Sequence, residues 1–145
     1  LAFNDNIPCY SVSTLEAIAY NFIDENAVVC AVMDARRMQF YNAIFSVKDR
    51  AVSRICDDRA ISIDDLRKEL SSYDKVIVAG DGARLCMSGL KLDNCFLADD
   101  DKIYQNAVSV SKAAHNVKPI SPKSLMPVYL RQSQAERELK LKLKR

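Results

Sequence analysis

The sequence predicts a mixed α/β fold, and three observations carry that prediction. Short valine-rich runs such as Ala27–Met33 and Val76–Ala79 have the length of strands rather than helices. The first strand-like runs follow one another closely, whereas the later ones are separated by segments with apolar residues at helical spacing. The period changes near Ser62, from alternation to steps of three and four. With 145 residues, 49% of them hydrophobic and 28% charged, the chain has the material of about one domain with a sizeable core. Only 3 Gly and 4 Pro are present, which excludes collagen-like and low-complexity classes. The longest apolar run, Ala27–Met33, falls far short of the roughly 20 residues a membrane-spanning helix needs.

The elements follow in order. Ser13-Thr14-Leu15-Glu16 reads as a capping box, with Ser13 accepting from the Glu16 amide and the Glu16 side chain reaching back, and it opens a helix over about 14–24. Ala27–Met33 is a strand. Asp34-Ala35-Arg36-Arg37 turns the chain into a second strand over 38–45, and a third at 51–57 alternates Val52, Arg54 and Cys56 with Ser53 and Ile55. Its arginines suit a sheet edge. Ser62 then caps a helix carrying Ile63, Leu66 and Leu70 on one face and ending near Ser72. Val76–Ala79, apolar throughout, fits a parallel strand covered on both faces. Gly80-Asp81-Gly82 turns into a short helix at 83–87, followed by a strand at 94–97 and a helix over 103–115.

Strands joined by short connections form an antiparallel meander, and strands separated by helices must be parallel with right-handed crossovers. The order therefore matches a ribonuclease H-like layout, a mixed five-stranded sheet of spatial order 3-2-1-4-5 with its two most apolar strands adjacent in the middle. The helix at 14–24 precedes this unit, so residues 1–25 are expected to link it to a domain upstream, and the lack of an initiator Met at Leu1 agrees. Residues 26–118 form the ribonuclease H-like domain, and 119–145 a C-terminal segment with a basic tail.

Charge and cysteine use narrow the function classes. The net charge of +2 hides an uneven split, because 131–145 carry six Lys/Arg against two Glu, leaving the body at −2. Such a tail can touch nucleic acid or an acidic partner, or simply keep the terminus soluble. Five cysteines, without CxxC spacing and remote in sequence from the single histidine, His115, indicate neither a disulfide framework nor a zinc site and fit a reducing cytoplasm. Gly80-Asp81-Gly82 lies at a strand-to-helix turn, where backbone amides can meet phosphate. No lysine follows and Asp81 would repel the anion, so a tight turn that needs glycine at positive φ is the competing account. A metal-dependent nuclease is a sharper alternative. Asp34 and Asp81 end adjacent strands in this sheet order, and Glu69 from the intervening helix could add a third ligand. Against it, the first strand carries no acid within it, and Asp34 can serve instead to tighten its hairpin. His115 suits a helix C-terminus. Tyr129 and Arg131 beside Pro127 could dock a partner or pack the tail.

Four segments together resemble a known family. Ile7-Pro8-Cys9-Tyr10-Ser11-Val12-Ser13-Thr14-Leu15-Glu16-Ala17, Asp34-Ala35-Arg36, Ala79-Gly80-Asp81-Gly82-Ala83 and Pro127-Val128-Tyr129-Leu130-Arg131 with the basic tail are similar, in order and spacing, to the C-terminal part of the bacterial TsaB (YeaZ) family. The resemblance implies one ribonuclease H-like half of an actin/Hsp70/sugar-kinase-type protein once grouped with glycoproteases. It further implies a non-catalytic subunit in tRNA threonylcarbamoyladenosine (t6A) modification, without a cofactor or catalytic metal. TsaD would be its main partner and TsaE an ATPase partner, tRNA would be met only indirectly, and contacts, including any homodimer, would run through helices of an N-terminal half. A vestigial ATP-binding pocket at Gly80-Asp81-Gly82 is the enzyme-class alternative that the same resemblance leaves open.

Overall fold

The structure is a computed structural model that describes residues 2–130. Helix α1 (Thr14–Ala19) runs on into a 3-10 turn, Tyr20–Phe22. Strands β1 (Ala27–Asp34), β2 (Gln39–Lys48), β3 (Ala51–Arg54) and β4 (Arg59–Ser62) follow. The rest alternates α2 (Ile63–Leu70), β5 (Val76–Ala79), α3 (Ala83–Leu90), β6 (Cys95–Leu97) and α4 (Ala107–Ala114).

The sheet runs β3-β2-β1-β5-β6, so the five strands read from the sequence stand in the expected order. β1 pairs antiparallel with β2 from Ala27↔Val47 to Asp34↔Phe40, and parallel with β5 from Val28↔Val76 to Ala31↔Ala79. The sixth strand, β4, corrects the expectation. The third strand does not extend to residue 57 but ends at Arg54, and the amides of Ile55 (2.8 Å) and Cys56 (3.4 Å) both point at the Ile44 carbonyl. Two residues facing one is a bulge, which bends the strand away from its partner. Because β2 is ten residues long and β3 only four, the rest of the same β2 edge is left for β4, from Gln39↔Ser62 to Asn42↔Arg59.

Alternation along the strands sorts the core into two layers. Val29, Ala31, Ala43 and Phe45 face α1, which packs on β1, β2 and α4. Cys30, Val32, Asn42 and Ile44 face the side covered by α2 and α3. All four residues of β5 are buried, as a strand covered on both faces must be. Leu15, Ile18, Ala19 and Phe22 join this same core, so helix α1 packs against one face of the sheet. It is also shorter than the 14–24 expected, since the α-helix ends at Ala19 and tightens into the 3-10 turn, where the Asn21 side chain donates to the carbonyls of Lys102 and Tyr104, each at 2.7 Å.

Three helix termini differ from expectation for identifiable reasons. Ser13 caps α1 by accepting from the Glu16 amide (3.3 Å), but the Glu16 carboxylate binds Arg54 (2.9 Å) instead of closing a box, a charge-assisted bond outcompeting a neutral one. The reciprocal box sits at α4, between Asn106 and Ser109, so that helix starts at Ala107 rather than near Ile103. Helix α3 continues past residue 87 to Leu90 and stops where Lys91 turns left-handed at φ 49°.

Candidate functional site

Gly80-Asp81-Gly82 forms a joint between β5 and the end of β1. Gly80 has φ +116°, and a Cβ there would stand 2.0 Å from the Val32 carbonyl oxygen. A Cβ on Gly82 would stand 2.8 Å from the Asp34 amide nitrogen. Glycine is required for close backbone approach at both positions. The Gly80 amide donates to Ile103 (2.7 Å) and the Gly82 amide to Val32 (3.3 Å), so both glycine donors that could meet a phosphate are engaged within the fold. Asp34 is exposed and accepts from the Arg36 amide at 2.6 Å. It anchors a turn in which Arg36, Arg37 and Met38 all have positive φ.

Asp34 and Asp81 therefore lie at one joint, both exposed, but Glu69 does not join them. Its carboxylate pairs with Arg59 Nη2 at 2.5 Å. Arg59 also donates to Asn42 Oδ1 at 3.1 and 3.2 Å, and Asn42, fully buried, donates onward to the Ala31 carbonyl (3.0 Å) and Cys30 Sγ (3.3 Å). The third carboxylate of the nuclease arrangement is thus the outer end of a polar network reaching into the core. Among the described residues no group of three His, Cys, Asp or Glu side chains is placed to hold a metal ion. Sequence reasoning missed Asn42 and Arg59. The available signal was an asparagine inside the otherwise apolar run Phe40–Phe45, a polar group that must find partners if buried. His115 stands at the C-cap of α4, with Nδ1 2.7 Å from the Ser111 carbonyl oxygen.

All five cysteines are free, and burial holds three of them away from nucleophilic chemistry. Burial pushes the Cys86 thiol up to about 12, with Cys95 nearby adding to the effect, and burial raises Cys30 and Cys56 as well. Each stays protonated near neutral pH, and the thiolate is the reactive form.

Two of the four motif segments meet in space. A bridge between Cys9 and Ile120, with hydrogen bonds of 2.9 and 2.8 Å, brings the two ends of the described chain side by side. Beyond it, Ser11–Glu16 and Met126–Leu130 wall a groove of about 620 Å³, which Met33, Tyr41 and Asp58 also line. Pro127, Tyr129 and Leu130 of the family motif lie here, and Ala35 is buried just past Met33, whereas Arg131 and the basic tail lie outside the described residues. Ser13 Oγ donates to Asp58 (2.5 Å), and Arg54 bridges Asp58 and Glu16 while lying 4.7 Å from the Phe45 ring centre. Burial works against the Arg54 charge, but its hydrogen bonds to Asp58 and Glu16 prevail and hold its pKa above the usual value. On the rim, Met126, Val128 and Tyr129 are 71%, 79% and 85% exposed.

Comparison with known proteins places this geometry. A family model described as TsaD, tRNA N6-adenosine threonylcarbamoyltransferase, matches residues 1–140. The tRNA threonylcarbamoyladenosine biosynthesis protein TsaB of Bacillus subtilis (strain 168) is 27% identical over 78 residues, covering 54% of this chain and 34% of that protein. YeaZ from Pseudomonas aeruginosa superposes with a TM-score of 0.71 at 17% identity, over 89% of this chain and 62% of that one. A second solved structure, an uncharacterized protein with similarity to peptidase YEAZ from Pseudomonas aeruginosa, gives 0.69 at 17%, over 90% and 62%. The chain spans about a third of the curated relative and under two thirds of these structures, whose likeness bears on fold alone. Since the family model covers nearly its whole length, the chain belongs to the TsaD family that the model describes, and the motifs and the curated relative set it beside TsaB.

Proposed function

We propose that the chain is a non-catalytic, interaction-forming part of the t6A-modification machinery, supporting a TsaD-type transferase in the cytoplasm, with TsaE as a further partner and tRNA met only indirectly. One observation carries the non-catalytic reading. Apart from exposed Asp81, the residues best suited to chemistry by type and position are engaged in building the fold, since the amides of Gly80 and Gly82 bond to Ile103 and Val32, Asp34 ties its turn, and Glu69 neutralises Arg59. The pathway comes from the family and the TsaB relative. The cytoplasm fits five cysteines that all remain free, and no helix among the described residues is long and apolar enough to cross a membrane.

The test is to place Asp34→Asn and Asp81→Asn in a chain that also carries the partner-binding helices the family implies, and to assay t6A formation with TsaD, TsaE and the carbamoyl-adenylate donor. Both variants should work at near the unmodified rate, because an amide still accepts the hydrogen bond a turn requires. A loss of ~10²-fold with the fold intact, the size expected on removing a metal-holding or charge-stabilising carboxylate, would overturn the reading.

A further inference from the structure

We draw no further inference here: the strongest candidate, the groove between Ser11–Glu16 and Met126–Leu130 with exposed Met126, Val128 and Tyr129 on its rim, carries nothing beyond the reading above because nothing in the structure shows what covers it.

Discussion

A single hydrogen atom decides what Gly80 can become. Any side chain there meets the Val32 carbonyl oxygen at 2.0 Å, and the φ of +116° is one that L side chains rarely adopt. Gly80→Ala should therefore destabilise the protein by more than ~2 kcal/mol, combining strain with displacement of the β1 backbone, as a denaturation midpoint would report. Asp34→Ala gives a smaller contrast. Its carboxylate makes one exposed bond to the Arg36 amide, so the loss should be about 1 kcal/mol, and Asp34→Asn should lose less. If instead Gly80→Ala were neutral while Asp34→Ala were severe, the account of this joint as a packing device would be wrong.

At the scale of elements, β4 is the one strand among the described residues that the sequence concealed. Arg59-Ala60-Ile61-Ser62 is too short and too polar to announce itself, and its pairing with β2 depends on a bulge at Ile55–Cys56 that no local pattern specifies. The long apolar strands β1 and β5 and the Ser62-capped helix α2 were legible because burial on both faces and capping each leave a mark in sequence. The candidate site was legible only in part. The turn role of Asp34 and the need for glycine at position 80 follow from residue type, but the meeting of Ser11–Glu16 with Met126–Leu130 is a long-range contact that spacing cannot encode. Besides its ladder with β2, β4 is tied inward by the Glu69–Arg59–Asn42 chain. Arg59→Ala leaves Asn42 Oδ1 buried without these two donors, so a loss of ~1–3 kcal/mol is expected. A double-mutant cycle with Glu69→Gln should show coupling above ~0.5 kcal/mol, whereas strict additivity would mean the ion pair contributes nothing to seating the strand.

For the molecule as a whole, stability should fall in alkali. Cys86 titrates near 9 when unfolded and at about 12 when folded, so between those values the unfolded state binds fewer protons and each pH unit costs about 1.4 kcal/mol for this group alone. Below pH 9 the contribution is fully present, and it is lost as pH rises through the folded value. Cys30 and Cys95 are raised in the same direction, so Cys86→Ala should flatten only part of the decline seen in urea titrations at pH 8 and pH 10. Assembly is argued at the same scale. The sheet has helices on both faces and a continuous core, so the 145-residue chain should fold by itself and unfold cooperatively. On the proposed reading, the helices that contact TsaD are not among the elements of this chain. The chain mixed with TsaD at micromolar concentration should therefore elute separately in size-exclusion chromatography, and adding the segment that carries those helices should restore a complex. Co-elution of the chain alone would move the contact onto surfaces it already holds, with the exposed rim at Val128 and Tyr129 the first to examine by substitution.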